Sequence, residues 1–170
     1  MDNICFRQMV PDDMPILYAQ AAEFSLRPEI GYFEQCLEEQ DEGARHVFVA
    51  ECDSTLAGYA QIIWKPAYQP FRSLEIPEIQ DVNVARSYRR QGIGEALVTH
   101  CEQVVKDAGK TDIGIGVGLT RDYGAAQRLY IRRGYMPDGA GVVYENQPVM
   151  IGEMRPVNGY LCLKLIKELG

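Results

Sequence analysis

The arrangement of apolar and polar positions predicts one strand–turn–helix unit near the middle of the chain. Val82 and Val84 alternate with polar neighbours, which is typical of a strand. A basic turn follows, and apolar residues then return at the spacing of one buried helix face. These residues are Leu97, Cys101, Val104, Val105 and Ala108. Gly109 comes next, where a glycine commonly ends a helix.

The same patterns place further strands and helices on both sides of this unit. Strands are predicted over 4–9, 46–51, 56–64, 78–85, 112–119, 142–144 and 160–165, with a loop over 65–73. Helices are predicted to start within Pro11–Pro15, to carry Ile30–Leu37 and to cover 124–133. The second helix is expected to carry Ile30, Phe33, Cys36 and Leu37 on one side.

One predicted strand carries glycines on a single face. Residues 113–119 alternate between branched apolar side chains and glycines, so Gly114, Gly116 and Gly118 point the same way. A strand without side chains on one face indicates that something approaches its backbone closely. The sequence leaves two candidates open, namely a packed helix backbone and a bound ligand.

The basic turn has the properties of an anion site. Arg86, Arg89 and Arg90 bring three cations together, and Gly92 and Gly94 let a ligand approach the backbone. The first amides of a helix have no partner within the helix, and the helix dipole adds positive potential. A diphosphate fits such a site. The alternative is an ordinary strand–helix connection with solvated arginines.

Length and composition limit the possible classes. The 170 residues, 46% of them hydrophobic, are enough for one domain over 1–170 with a packed core. The net charge of −7 argues against binding to nucleic acid or anionic membranes. Five scattered cysteines and the lack of a signal-like or membrane-spanning segment predict a soluble cytoplasmic protein. Two histidines and no clustered cysteines give no reason to expect a metal.

Two segments resemble motifs of one enzyme superfamily. Arg89-Arg90-Gln91-Gly92-Ile93-Gly94 resembles motif A (Gln/Arg-x-x-Gly-x-Gly/Ala) of the GNAT superfamily of acyl-CoA-dependent N-acetyltransferases. Ala126-Gln127-Arg128-Leu129-Tyr130-Ile131-Arg132-Arg133-Gly134-Tyr135 is similar to the A-x-x-L-Y-x-x-x-G-F segment of that family. The first motif lies at the strand-to-helix junction that the family uses.

The resemblance implies a fold and a co-substrate. The fold would be α/β (α+β), with a mostly antiparallel, twisted sheet of about seven strands, about four flanking helices and a split between the two central strands. The co-substrate would be acetyl-CoA, with its pyrophosphate on the turn and its pantetheine along the preceding strand. The implied binding residues are Val82, Asn83, Val84, Arg89, Arg90, Gln91, Gly92, Ile93, Gly94 and Glu95.

The resemblance also implies catalytic roles. Tyr130 matches the tyrosine that acts as general acid toward the leaving thiolate in that family. A phenol can protonate a thiolate without a large energetic mismatch because the two groups have similar pKa values. Glu78 lies eleven residues before Arg89. The strand glutamate that acts as general base in the histone-acetylating branch of the family has the same spacing from its motif A. Asp81 or a chain of waters could serve instead. Many members carry asparagine where this chain has Tyr123, which could contact the pantetheine or simply pack.

Two classes of function are therefore open. The first is an enzyme that transfers acetyl from acetyl-CoA to a primary amine of a small molecule or peptide by direct attack in a ternary complex. The second is a non-catalytic acyl-CoA-binding regulatory module. The sequence does not identify the acceptor, and a homodimer through the last strands is plausible.

Overall fold

The computed structural model describes residues 4–24 and 28–170. The strands are β1 (Ile4–Gln8), β2 (Arg45–Cys52), β3 (Thr55–Ile63), β4 (Glu78–Val84), β5 (Asp112–Gly118), β6 (Met136–Tyr144), β7 (Gln147–Pro148) and β8 (Leu161–Glu168). The helices are α1 (Asp13–Ala19), α2 (Tyr32–Asp41), α3 (Gln69–Ser73), α4 (Ile93–Asp107) and α5 (Gly124–Arg132). Single 3₁₀ turns lie at Arg86–Tyr88 and Arg121–Tyr123.

Contacts divide the chain into two compact units. The first comprises the described residues up to Trp64 together with Ile79–Val104, and the second comprises Lys65–Glu78 and Val105–Gly170. In the first unit the strand order is β1-β2-β3-β4, and β2 pairs antiparallel with both β1 and β3. In the second unit the order is β5-β8-β6-β7, with every neighbouring pair antiparallel.

The first unit has its own hydrophobic core, formed where α1 and α2 cover the sheet. Its buried members are Met9, Leu17, Phe24, Phe33, Cys36, Val47, Val49, Leu56, Tyr59 and Ala85. Phe33 lies edge-on to the Tyr59 ring, with the centroids 5.9 Å apart. Alternating residues of β2 supply one side of this core because successive strand side chains point to opposite faces.

The second unit is built around the glycine face of β5. A Cβ on Gly114 would overlap the buried Phe71 ring, and one on Gly118 would overlap the Tyr123 ring. The sequence predicted a helix backbone or a ligand against these glycines. At these two positions the neighbours are instead aromatic side chains, which occupy the space that a Cβ would need.

The predicted elements are present, with two local corrections. The loop predicted over 65–73 contains α3, whose N-terminal Pro70 is compatible with the first helical turn. Ile30 was predicted on the buried side of the second helix, but it is fully exposed. Helix α2 begins only at Tyr32 because Gly31 adopts a left-handed φ of 88° and separates Ile30 from the helix.

The predicted fold class is confirmed. The described residues form eight strands and five α-helices, with mainly antiparallel pairing and strands interspersed with helices. The additional strand is the two-residue β7, and the additional helix is α3. In the described part of the chain, no helix is both long enough and apolar enough to cross a membrane.

Candidate active site

Strand β4 leads into the predicted anion-binding turn, and its backbone is not uniformly extended. Asp81 has φ 51°, a left-handed value that is uncommon for a residue other than glycine. Within a strand such a residue marks a local kink of the backbone. The side-chain amide of Asn83 donates to the Asp81 carbonyl across 3.1 Å. The sequence could not reveal this kink, which lies next to the predicted pantetheine-binding residues 82–84.

The predicted anion-binding turn contains two left-handed residues. Arg90 has φ 62° and Gly92 has φ 82°, so two residues in three are left-handed. A left-handed arginine costs on the order of 1–3 kcal/mol, a strain that is typical of functional sites. Arg89 is held at the end of β4, where its Nε donates to the Val84 carbonyl across 3.1 Å.

The helix that follows presents its N-terminus to the turn. The first bond of α4 runs from the Ala96 amide to the Gly92 carbonyl, at 2.9 Å. The amides of the first helical turn before Ala96 therefore point out of the helix. A Cβ on Gly94 would lie 3.5 Å from Val84 Cγ2, which is ordinary contact, so protein packing does not exclude alanine there.

Glu78, the predicted base, is buried in an ion pair. It is 1% exposed, and its Oε1 lies 2.6 Å from Lys164 Nζ, a residue of β8. A Cβ on Gly116, the middle glycine of β5, would lie 3.4 Å from that Nζ, so this glycine borders the pair. The resemblance implied Glu78 as a base, and no local pattern pointed to its partner Lys164. The sequence signal for this partner was Lys164 itself, a charged residue in the mostly apolar pattern of β8.

Tyr130, the predicted acid, lies on α5 and is 5% exposed. Its ring centroid is 5.9 Å from that of Tyr135, whose amide donates to the Tyr130 carbonyl. The helix is tied to β5 by Gln127, whose side-chain amide donates to the Gly118 carbonyl across 2.8 Å. Tyr123 packs over Gly118 and keeps part of its ring exposed.

A polar network around Asp81 was also missed by sequence reasoning. The Tyr32 hydroxyl donates to the Asp81 carboxylate, and the buried Gln61 amide donates to the same carboxylate across 3.2 Å. Arg45 donates to the Gln61 carbonyl oxygen and pairs with Glu39 at 2.7 Å. These residues come from α2, β2, β3 and β4, so no local spacing connects them.

The chain belongs to a known enzyme family. The model of the acetyltransferase (GNAT) family matches residues 8–135, which is most of the chain. The protein is therefore an acyltransferase of the GNAT acetyltransferase class, as its two motifs predicted. A comparison with curated proteins found no match to the sequence.

Solved structures of other acetyltransferases are similar over nearly the whole chain. An N-acetyltransferase from Staphylococcus aureus Mu50 has a TM-score of 0.72 at 17% identity and covers 99% of this chain and 100% of its own. A ribosomal-protein-alanine N-acetyltransferase from Brucella melitensis has a TM-score of 0.70 at 20% identity, covering 96% and 99%. A GNAT family acetyltransferase from Elizabethkingia anophelis, solved with acetyl-CoA bound, has a TM-score of 0.65 at 20% identity, covering 99% of both chains. At these identities the likeness establishes the shared fold.

Proposed function

We propose that this acyltransferase moves an acetyl group from acetyl-CoA to a primary amine of a small molecule or peptide, by direct attack in a ternary complex. The observation that carries the proposal is the turn before α4, where a left-handed Arg90 and Gly92 precede a helix N-terminus. Membership of the acetyltransferase (GNAT) family supports acetyl transfer as the reaction. The structure of the Elizabethkingia anophelis relative was solved with acetyl-CoA bound. The acceptor amine follows from the chemistry of the family.

The turn would bind the pyrophosphate of acetyl-CoA. Backbone amides of residues 89–95 donate to phosphate oxygens, and the helix dipole stabilises their negative charge. The side chains of Arg89 and Arg90 add two positive charges. Because Gly92 and Gly94 have no side chain, phosphate oxygens can approach the backbone amides closely.

The end of β4 would hold the acyl part of the co-substrate. The kink at Asp81 directly precedes Val82, Asn83 and Val84, whose backbone groups are the proposed partners of the pantetheine and of the thioester oxygen. Donors aimed at that oxygen stabilise the charge that develops on it during attack.

The proposed proton transfers involve Glu78 and Tyr130. Acetyl-CoA supplies the acetyl group as a thioester. The amine nitrogen forms the new C–N bond as the C–S bond breaks, so the nitrogen must lose a proton and the sulfur must gain one. Glu78 accepts the proton from the amine, and the phenol of Tyr130 donates to the sulfur. Lys164 compensates the charge of Glu78 and holds the carboxylate in place.

Free-thiol release from acetyl-CoA across a panel of primary amines tests this function. The wild type should release thiol in an amine-dependent manner, and Tyr130→Phe should lower turnover by about 10²-fold with unchanged co-substrate affinity. Glu78→Gln should move the pH–rate profile to higher pH, because the reaction then depends on amine that is already deprotonated in solution.

Two controls separate chemistry from folding. Tyr160→Phe changes an exposed tyrosine and should leave turnover unchanged. Glu78→Gln leaves the buried Lys164 without its counter-charge, so Glu78→Gln/Lys164→Met restores a neutral pair and should show the same profile shift with a recovered melting temperature. Full turnover in Tyr130→Phe would remove its role. Tight acetyl-CoA binding without any amine-dependent thiol release would favour a non-catalytic acyl-CoA-binding module.

A further inference from the structure

The glycine face of β5 is covered unevenly. The Phe71 ring lies against Gly114 and the Tyr123 ring lies against Gly118, and both of these glycines are buried. Gly116 lies between them and is partly exposed. The three atoms nearest to a Cβ at this position belong to charged side chains and not to a ring. The face is therefore open at its middle glycine.

The charged side chains beside Gly116 are Lys164 and Glu78. A Cβ on Gly116 would lie 3.4 Å from Lys164 Nζ and 3.5 Å from Glu78 Oε1, which are ordinary contact distances. Nζ and Oε1 are themselves 2.6 Å apart. A group that lies on Gly116 therefore contacts the amine and the carboxylate together.

Lys164 is also held by an aromatic ring. Its Nζ lies 5.2 Å from the centroid of the buried Tyr68 ring, and the Tyr68 hydroxyl donates to Asp138 across 2.7 Å. The amine is thus fixed by a ring and by a carboxylate, and the partly exposed Gly116 is its neighbour.

The position of this amine is the one that acetyl transfer requires of an acceptor. A general base must lie within about 2.6–3.2 Å of the group from which it takes a proton. Lys164 Nζ is a primary amine that meets this condition toward Glu78, the base of the proposed reaction. The amine that is already in place beside the proposed base is therefore part of the protein itself.

We propose that Lys164 is a site of self-acetylation, so that in the absence of another amine the protein moves the acetyl group of acetyl-CoA to its own Nζ. The ammonium passes one proton to Glu78, and its electron pair forms the C–N bond as the C–S bond breaks with its electron pair on sulfur. The nitrogen loses a second proton and the sulfur gains one. The products are an amide, the thiol of CoA and a protonated Glu78. The inference rests on the proposed function, because it uses the same base and the same acetyl donor.

The modification would inhibit the enzyme. An acetylated lysine carries no charge, so the buried Glu78 would lose the cation that compensates it. An uncompensated charge is disfavoured at a buried position, and removal of one partner of a buried pair is strongly destabilising. Turnover with amines should therefore fall as Lys164 becomes acetylated.

Mass spectrometry of the protein after incubation with acetyl-CoA alone tests the modification. The wild type should gain one acetyl group, and peptide mapping should place it on Lys164. Uncatalysed acetylation should instead favour the exposed lysines, among them Lys65 and Lys106. Excess desulfo-CoA should prevent the labelling of Lys164 and leave that of Lys65 and Lys106 unchanged, because bound acetyl-CoA is the donor only for Lys164.

Variants test the geometry. Lys167→Arg is the matched control, since Lys167 lies on the same strand and over a tyrosine ring, with its Nζ 5.7 Å from the Tyr135 centroid. It should be labelled at Lys164 at the wild-type rate, whereas Lys164→Arg should lose the labelling that desulfo-CoA prevents. Gly116→Ala retains the fold because its Cβ makes ordinary contacts. It fills the space beside Nζ, so the labelling should slow by about tenfold or more.

The possible results separate self-acetylation from the proposed function. After preincubation with acetyl-CoA, turnover should fall in proportion to the acetylated fraction of Lys164, and full turnover in acetylated protein would refute the inhibition. An unlabelled Lys164 in a protein that shows amine-dependent thiol release would overturn self-acetylation and leave the proposed function intact. Acetylated Lys164 without transfer to any free amine would sustain self-acetylation and refute the proposed function. Labelling of Lys164 that desulfo-CoA does not reduce would be ordinary chemical reaction and would also overturn the proposal.

Discussion

Gly114 shows how a single missing Cβ determines local packing. The Phe71 ring occupies the space that a side chain at this position would need, and Phe71 is completely buried. Glycine here is a requirement of packing, because the ring cannot move outward without leaving the core of the second unit.

Gly114→Ala should therefore destabilise the protein. Overpacking of a core typically costs about 1–3 kcal/mol, so the midpoint of urea unfolding should fall while the slope stays the same. Phe71→Leu in the Gly114→Ala background should recover part of the loss by shrinking the neighbour. A Gly114→Ala protein as stable as the wild type would show that Phe71 does not pack on this glycine.

Gly92 determines the backbone conformation at the junction between the turn and α4. Its φ of 82° suits glycine, and a left-handed alanine costs roughly 1–2 kcal/mol. Gly94 is the second residue of α4, where alanine is favoured over glycine by at most about 0.5–1 kcal/mol, and among the described residues its Cβ would meet Val84 at ordinary contact distance.

Substitution of the two glycines by alanine should accordingly have different effects. Gly92→Ala should lower the free energy of unfolding and weaken CoA binding, and Gly94→Ala should leave the free energy of unfolding unchanged or slightly raise it. Urea unfolding and calorimetry with CoA measure the two effects. Equal destabilisation by both substitutions would contradict the assigned backbone conformation.

The sequence predicted helices and strands where these depend on the pattern of residues that are close together in the chain. The helix stripe after the turn was correct at Leu97, Cys101 and Val105, which are fully buried. The stripe failed at its end, where Ala108 lies beyond the last residue of α4 and is exposed. Periodicity identifies a helix face but does not show where packing against the sheet stops.

The candidate site was predictable only where a motif is contiguous. The turn over residues 89–95 is one segment, and one of its two left-handed positions is a glycine, Gly92, while the other is Arg90. The Glu78–Lys164 pair joins residues far apart in the chain, and the Tyr32–Asp81 contact joins α2 to β4. Such contacts arise from tertiary packing, for which a single sequence has no local signal.

At the scale of the whole molecule, the five cysteines differ widely in exposure although none forms a disulfide in the described residues. Cys5 is exposed on β1, while Cys36 and Cys101 are buried. Burial raises the pKa of Cys101 to about 12, with a smaller contribution from the negative charge of Glu102. Since the thiolate is the reactive form, both exposure and pKa make Cys101 inert in the native state.

Reaction with 5,5′-dithiobis(2-nitrobenzoate) at pH 8 should therefore be stepwise. One thiol should react quickly in the native protein, and Cys5→Ser should abolish this fast phase because Cys5 is the exposed cysteine. Cys36 and Cys101 should react only when denaturant unfolds the first unit, so their rates should follow its opening. Five thiols reacting at one native rate would contradict the observed burial. The same reagent detects CoA release, so Cys5→Ser should also remove the fast protein background from the acetyl-transfer assay without altering turnover.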